Sequence, residues 1–322
     1  MVMDCMDIDT SIIKAAAQWN LQVGRIRRDI PIAGSPERCE LRFVIQDRQD
    51  RLYVLECIFD ADLDRKGRII TCLNYLFRTH LPAINPYLRT KRNDWIVCCD
   101  NRYWQLAPYV DGTALNRPEY VFDKWRGNVM ADFLIGLRKN SRDITRVIGL
   151  PRFSITGYIR DLITQMKAHA PEVLNEIGPA IHLVENRLTT VHDRLPTAFC
   201  HGDFHPLNII WSPNAVNAVI DWEFLGMKPE IYDAANLIGC IGSEEPDALL
   251  GDLAIDFIGK LEAAACISDE SREVFVDFVI AMRFAWLSEW LRHQDHEMIA
   301  LETVYMNLLA DNAGMLKKAW GI

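Results

Sequence analysis

The segment from Cys200 to Glu223 constrains the fold of this 322-residue chain more tightly than any other. It reads CHGDFHPLNIIW, then the polar turn SPN, then an apolar run that ends at Asp221. Two short apolar runs on either side of a turn that contains Ser, Pro and Asn predict a β-hairpin. The hairpin carries two carboxylates and one amide, from Asp203, Asn208 and Asp221, at its base.

These three polar side chains are the groups that phosphoryl transfer requires close together. One carboxylate takes up the proton of the acceptor hydroxyl, while an Asn and a second carboxylate hold Mg²⁺ against the phosphates of a nucleotide. Two other interpretations remain open. Asp203 and Asn208 can hydrogen-bond local backbone in a buried turn. The alternation of His201, Asp203 and His205 also occurs in hydrolase metal sites, which need further His ligands.

The pattern H-G-D-x-x-x-x-N, followed by a hairpin and I-D-W-E, resembles the aminoglycoside phosphotransferase and choline kinase superfamily, whose fold is protein-kinase-like. The spacing from Asp to Asn equals that of the kinase catalytic loop H-R-D-x-x-x-x-N. The resemblance implies that Asp203 is the catalytic base, that Asn208 and Asp221 are Mg²⁺ ligands, and that ATP or GTP is the phosphate donor. It covers most of the chain and is strongest from His201 to Asp233.

Periodic patterns follow the order of a kinase-like fold, although its first strand is not evident. Strand-like runs occupy residues 39–46, 52–59, 95–99 and 102–106, with a helical pattern at 69–77. The rest is mostly helical, roughly at 121–140, 156–167, 172–194, 247–264, 271–292 and 297–318. The predicted fold class is α+β, two-lobed and protein-kinase-like. Residues 1–107 form a small nucleotide-binding lobe with a mixed β-sheet, and residues 108–322 form a larger, mainly helical lobe for catalysis and substrate binding.

The resemblance also implies where the donor nucleotide binds. The hinge runs from Gln105 to Gly112, so Gln105, Leu106, Ala107 and Tyr109 are expected around the purine base. In this superfamily the third strand carries a Lys that pairs with the phosphates and a helix Glu that orients it.

This chain has Glu56 at the expected Lys position and cationic residues in the following helix. Because a carboxylate repels phosphates unless a cation lies between them, we expect Arg68 or Arg65 to replace the missing Lys, with Glu56 orienting it. An alignment shifted by one residue, which would leave Glu56 facing solvent, remains the alternative.

The predicted function is Mg²⁺-dependent transfer of the γ-phosphate of ATP or GTP to a hydroxyl of a small molecule. The charge reversal at Glu56 motivates a second hypothesis, a catalytically impaired nucleotide-binding regulatory protein. The intact set of Asp203, Asn208 and Asp221 argues against it, because a protein without catalysis has little reason to keep all three. A protein Ser or Thr as acceptor remains open.

Four further residues are predicted to support the site. His201 and His205 flank Asp203 and are expected to brace the loop, and His205 can also contact the acceptor. Glu223 can join the metal shell through a water molecule. The resemblance places Asp233 as a brace of the catalytic loop, and it can equally cap the helix that follows.

Charge is concentrated in one region of the chain. Residues 241–300 carry thirteen acidic and four basic side chains, so the net charge of this segment is −9, the same as that of the whole protein. This acidic region argues against a nucleic-acid partner, which needs a basic surface. It favours a cationic acceptor, or is a solvated helical surface. Trp286 and Trp290, beside the carboxylate of Glu289, can bind an amine by cation–π attraction, or all three belong to a packed amphipathic helix.

The sequence shows no apolar run of transmembrane length and no signal-peptide pattern, so neither a membrane partner nor secretion is predicted. The nine cysteines are scattered and form no C-x-x-C pair. They are therefore predicted to be reduced thiols in the cytoplasm. The identity of the acceptor, the choice between ATP and GTP, and the oligomeric state are left open.

Overall fold

The computed structural model describes residues 5–150 and 153–322, and the chain divides into two compact units. The first unit comprises residues 1–114, 143–148 and 207–224, and the second comprises residues 115–142, 149–206 and 225–322. The hairpin predicted from the sequence therefore groups with the first unit. The boundary between residues 107 and 108 stays a prediction.

The first unit contains a five-stranded sheet in the order β1-β2-β3-β5-β4. Its strands are β1 Val23–Ile26, β2 Leu41–Asp47, β3 Leu52–Ile58, β4 Ile96–Cys99 and β5 Arg102–Pro108. The β2–β3 turn is closed by Asp47, whose Oδ1 accepts hydrogen bonds from the backbone N–H of Gln49 and of Arg51 at 2.8 and 2.9 Å. This is the local bonding that makes Asp a turn residue.

The sheet differs from the expected one in two respects. Every pairing is antiparallel, rather than mixed. The tight β4–β5 turn reverses the chain, so β5 runs against both β4 and β3. The strand β1 is present although no pattern indicated it, because only Val23 and Ile26 in its four residues are apolar.

Helix α2, Leu63–Arg78, follows β3. Its buried face includes Lys66, Ile69, Ile70 and Leu73, which are spaced by three and four residues as on one side of a helix. Helix α1, Cys5–Ala17, packs with the other face of the sheet into an apolar core. The buried members of that core are Ile12, Ala15, Ala16, Trp19, Ile45, Tyr53, Leu55, Cys57, Trp104 and Leu106.

The predicted hairpin is present as β7 Ile209–Trp211 and β8 Val216–Val219, an antiparallel pair. Its turn is closed by the N–H of Ser212, which donates to the carbonyl of Ala215 at 2.9 Å. The N–H of Val219 donates to the carbonyl of Ala83 at 2.9 Å. This bond fixes the hairpin to the segment that follows α2 within the first unit.

The second unit is mainly helical. Its helices are α3 Lys124–Asn140, α4 Ile155–His169, α5 Pro171–Glu176, α6 Gly178–Leu183, α7 Thr189–Val191, α8 Tyr232–Glu244, α9 Asp252–Ala263, α10 Asp269–Glu273, α11 Phe275–His293, α12 His296–Asp311 and α13 Ala313–Trp320, with a π-helical turn at Val184–Leu188. Helix α11 packs against α8, α12 and α4. Its first ten residues are all buried, and eight of them are apolar, as expected for a helix segment enclosed by its neighbours.

A two-stranded sheet in the second unit leads to the HGDxxxxN motif. It pairs β6 Thr197–Cys200 with β9 Gly226–Pro229 in antiparallel register. Strand β6 ends immediately before His201, and β9 ends three residues before α8 begins. Across the described ranges, no helix combines the length and apolar character that crossing a membrane requires.

Candidate active site

The motif after β6 is pinned by a buried carboxylate from the start of α8. Both oxygens of Asp233 accept backbone hydrogen bonds, from the N–H of His201 at 2.7 Å and from the N–H of Gly202 at 2.8 Å. Gly202 has a φ of 89°, in the left-handed region that favours glycine. The loop therefore bends sharply and presents its next residue, Asp203. This geometry suits the bracing role predicted for Asp233.

The environment of Asp233 is dominated by its burial, since only 3% of the residue is exposed. Burial raises the pKa of Asp233 to about 6, against the opposing effect of its two N–H donors and of Lys228. The negative charge of Asp203 raises that pKa further. The brace is thus a carboxylate whose protonation changes near neutral pH rather than near pH 4.

His201 and His205 occupy different positions beside Asp203. His201 is completely buried, and its Nδ1 accepts a hydrogen bond from the N–H of Asp203 at 3.1 Å. That bond commits His201 to the loop itself, which disfavours the hydrolase metal centre considered from the sequence. Nε2 of His205 lies 3.6 Å from Oδ1 of Asp203, close to the carboxylate predicted as the base.

An aromatic group lies next to this pair within the second unit. The ring of Trp286 meets His205 edge-on with centroids 6.0 Å apart, and Trp290 lies 6.0 Å from Trp286. Both indoles are partly exposed, whereas Phe284 on the same helix is completely buried. The two tryptophans are therefore not simply part of the α11 core.

Glu289, predicted beside the tryptophans, is paired elsewhere. Its carboxylate accepts from Nη2 of Arg292 at 2.6 Å and lies 2.9 Å from Nε2 of His293. The hydrogen bond from Arg292 is the main reason that its pKa is lowered. Behind Trp286, the buried guanidinium of Arg283 binds both oxygens of Glu302 at 2.7 and 2.6 Å, which holds this wall in place.

The first unit contains a pocket lined by the sheet, α2 and the hairpin. Five predicted site residues line it: Glu56, Ala107, Tyr109, Asp221 and Glu223. Apolar lining comes from Val54, Val110, Ile210 and Val219 among others. Gln105 and Leu106 are completely buried and lie outside the lining. Arg68 and Asn208 are not among the lining residues either, and Asn208 accepts from the N–H of Ile220 at 3.0 Å through its carbonyl.

Glu56 is held in this pocket by two hydrogen-bond donors. Its Oε2 accepts from Nε2 of Gln105 at 2.6 Å, across the β3–β5 pair, and from the hydroxyl of Tyr87 at 3.4 Å. Burial raises the pKa of Tyr87 well above its ordinary value. Three carboxylates raise it further, namely Glu56, Glu223 and Asp221. Negative charge therefore converges on one region of the pocket.

Lys66, which the sequence did not single out, is the buried cation of this pocket. Its Nζ lies 2.5 Å from Oε1 of Glu223, and the two side chains are only 2% and 6% exposed. Arg65 lies on the other oxygen of Glu223 at 3.3 Å and also pairs with Asp62 at 2.8 Å. A signal was present, because Lys66 falls on the apolar side of the helical repeat.

The loop between β1 and β2 reaches Asp221, one of the two predicted metal ligands of the first unit. The N–H of Ser35 donates to Oδ2 of Asp221 at 2.8 Å. Gly34 has a φ of 90°, and a Cβ there would lie 2.7 Å from Oδ1 of Asp221. Arg42 donates to the carbonyl of Gly34 at 2.7 Å. The single glycine of this loop is therefore required where the backbone approaches the carboxylate.

The donor set fits a hard divalent cation. The carboxylate of Asp221 lines the pocket, and Asn208, which is not among the lining residues, immediately precedes the hairpin that leads to Asp221. Oxygen ligands of this kind suit Mg²⁺, which takes one or two protein side chains and completes its shell with phosphates and water. Among the described residues, no group of three or more His, Cys, Asp or Glu side chains could hold a metal ion.

Comparison with known families decides the class of protein. The phosphotransferase enzyme family matches residues 45–266, more than half of the chain. The chain belongs to this family. Membership confirms the superfamily recognised from the HGD and IDWE motifs and the predicted enzyme class, a small-molecule phosphotransferase. It does not favour the catalytically impaired alternative. No curated protein matches the chain in sequence.

Solved structures of other phosphotransferases share the fold. A microcompartment-associated aminopropanol kinase has a TM-score of 0.71 at 14% identity, covering 96% of this chain and 98% of its own. An aminoglycoside phosphotransferase from Alicyclobacillus acidocaldarius has 0.67 at 13%, covering 95% and 96%. Aminoglycoside 2'-phosphotransferase-IIIa, solved with GDP, has 0.67 at 16%, covering 97% and 100%. The predicted protein-kinase-like α+β fold is confirmed.

Proposed function

We propose that this phosphotransferase moves the γ-phosphate of ATP or GTP, with Mg²⁺, to a hydroxyl of a small cationic molecule. The observation that carries the proposal is the pinned loop of the second unit. Two backbone N–H groups bound by Asp233 fix the position of Asp203, the carboxylate that receives the acceptor proton. Since phosphoryl transfer depends mostly on positioning and charge neutralisation, a rigid base is the feature that the reaction requires.

The donor site of the proposal is the pocket of the first unit. Its apolar walls suit a purine, and Ala107 and Tyr109 of the hinge line it. The amide of Asn208 and the carboxylate of Asp221 would hold Mg²⁺, which supplies charge neutralisation of the phosphates when bound. The fully buried Gln105 and Leu106 would act behind this wall, with Gln105 positioning Glu56. A GDP complex of a fold relative supports a nucleotide donor without deciding between ATP and GTP.

The acceptor side of the proposal rests on the aromatic group of the second unit. Partly exposed Trp286 and Trp290 lie beside His205, which in turn lies 3.6 Å from Asp203. An ammonium group attracted to an indole face would bring a neighbouring hydroxyl towards the base. The acidic region from 241 to 300 would raise the local concentration of cations. Glu289 would add charge rather than a direct contact, because Arg292 and His293 bind it.

The remaining supporting roles follow from the same contacts. His201 would hold the loop through its bond to the N–H of Asp203. Glu223 would act on the donor pocket through its partner Lys66. We place the enzyme in the cytoplasm, because eight of the nine cysteines, all those from Cys39 to Cys266, are free thiols, as expected in a reducing compartment.

Replacing Asp203 by Asn tests the proposed base. The assay is MgATP or MgGTP consumption in the presence of a panel of aminoglycosides, choline and amino alcohols. We expect Asp203→Asn to lower kcat by about 10³-fold or more while nucleotide affinity is retained, since an amide cannot take up the proton. Asp193→Asn, which removes an exposed carboxylate of the same unit, is the matched control.

Transfer at the wild-type rate by Asp203→Asn would remove this residue as the base. Nucleotide binding by the wild type without transfer to any acceptor class would instead favour the regulatory alternative.

A further inference from the structure

We propose that Lys66 of α2, held by Glu223, binds the phosphates of the donor nucleotide in place of the strand lysine that position 56 lacks. This inference rests on the proposed function and adds to it a residue that neither the motif nor the resemblance indicates. It replaces Arg65 and Arg68, the cations expected from the sequence.

Lys66 is buried in the wall of the pocket. Three cations line the pocket: Arg38, Arg42 and Lys66. Arg42 is used by the loop, since it donates to the carbonyls of Ala33 and Gly34. The guanidinium of Arg38 lies over the ring of Phe224, 4.8 Å from its centroid. Lys66 is the buried cation of the three, on the wall that also holds Glu223.

Carboxylates are concentrated on this wall of the pocket. Glu56, Asp221 and Glu223 all lie near the hydroxyl of Tyr87, so this region is strongly negative. Phosphates that enter such a region are repelled unless a cation meets them. Lys66 has three N–H donors, and Glu223 takes one of them at 2.5 Å. An ammonium fixed by a carboxylate is the arrangement that aims a cation at a phosphate oxygen.

Glu56 is already paired with two hydrogen-bond donors. Its Oε2 accepts from the amide of Gln105 and from Tyr87. Both groups donate to Glu56, so this wall already pairs a carboxylate at position 56. The cation has to come from elsewhere, and α2 supplies it.

The rival interpretations fit less well. Arg65 binds Glu223 and Asp62 and is absent from the pocket lining, as is Arg68. A purely structural Lys66–Glu223 pair has weak physical support, because apolar side chains of similar volume stabilise a buried position as well or better. A pair that serves to bind phosphates accounts for the buried charges.

The test separates phosphate binding from folding by comparing ligands. Dissociation constants of ATP and GTP with Mg²⁺, and of adenosine and guanosine, are measured for wild type, Lys66→Met, Lys66→Arg and the neutral pair Lys66→Met/Glu223→Gln. We expect Lys66→Met and the neutral pair to lose at least 10-fold in triphosphate affinity with nucleoside affinity unchanged. Lys66→Arg should keep most of it. Arg78→Met, which removes an exposed cation from the same helix, should match wild type.

An unchanged ratio of triphosphate to nucleoside affinity in folded Lys66 variants would overturn the inference. A loss of triphosphate affinity in Arg65→Met or Arg68→Met instead would overturn it too. If neither Lys66→Met nor Lys66→Met/Glu223→Gln folds, NMR spectra of the wild type labelled with ¹³Cε-lysine decide the question. The Lys66 signal is assigned by its absence from the spectrum of Lys66→Arg. We expect that signal to shift with MgATP or MgGTP and not with the nucleosides; no shift would overturn the inference. A wild type that binds neither nucleotide contradicts the proposed function instead.

Discussion

The loop of the second unit that carries the proposed base and the pocket of the first unit proposed to bind the nucleotide are stabilised by different kinds of contact. The loop is held through its main chain, by the bonds from His201 and Gly202 to Asp233. The pocket wall is held through side-chain charges, with Lys66 on Glu223 and Gln105 on Glu56. These bonds act on the main chain of the loop, so one buried carboxylate, that of Asp233, fixes the position of Asp203. The wall depends instead on the pairing of each charged side chain with its partner.

Breaking the charged wall should have the largest effect on stability. Lys66→Met leaves the carboxylate of Glu223 buried with only the more distant Arg65, so we expect a loss of about 4 kcal/mol in the free energy of unfolding. Lys66→Met/Glu223→Gln should lose far less, about 1 kcal/mol, because no charge is left buried. Denaturant unfolding of the three proteins measures both values. Equal losses in the single and double variants would show that the pair is not electrostatically coupled.

The contribution of Asp233, which braces the loop, to the free energy of unfolding should instead depend on pH. The pKa of Asp233 is raised by burial from 3.8 to about 6, so between these values the folded state keeps a proton that the unfolded state has released. Its stabilising contribution is complete below about pH 4, falls as pH rises to about 6, and is constant above. The total change is about 3 kcal/mol.

Unfolding free energies of wild type and Asp233→Asn between pH 4 and 7 isolate this contribution. The advantage of wild type over the variant should shrink as pH rises to about 6. Asp277, whose pKa burial also raises to about 6, is present in both proteins and cancels. Parallel curves would mean that Asp233 titrates as it does in the unfolded chain.

The smallest of these effects is expected at the aromatic group beside the loop. Trp286→Ala should raise KM for a cationic acceptor about 10-fold with little change in kcat or in nucleotide affinity, since a cation–π contact contributes about 1–2 kcal/mol. Trp286→Phe, which keeps an aromatic face, should retain part of the affinity. If KM rises equally for neutral acceptors, Trp286 does not recognise the positive charge and contributes only to the shape of the acceptor site.

The contrast between the two regions also explains how far the sequence could predict this site. The hairpin that ends at Asp221 follows from local chemistry, because its turn residues and apolar runs are adjacent in the chain. Strand β1 could not be predicted in this way, because its four residues lack an apolar pattern. Its pairing with β2 stabilises it instead. Lys66 was missed because its role depends on Glu223, 157 residues away. Only the helical repeat through Ile69 and Leu73 indicated that it faces inwards.

The most direct test of the account is thermal unfolding with and without Mg²⁺ and ATP or GTP, on wild type and Asp221→Ala. A ligand at about a hundred times its dissociation constant should stabilise the folded protein by about 2.7 kcal/mol. We expect a shift in Tm for wild type that requires Mg²⁺ and is lost in Asp221→Ala. A wild type whose Tm does not change with either nucleotide, or a shift that survives in Asp221→Ala, would contradict it.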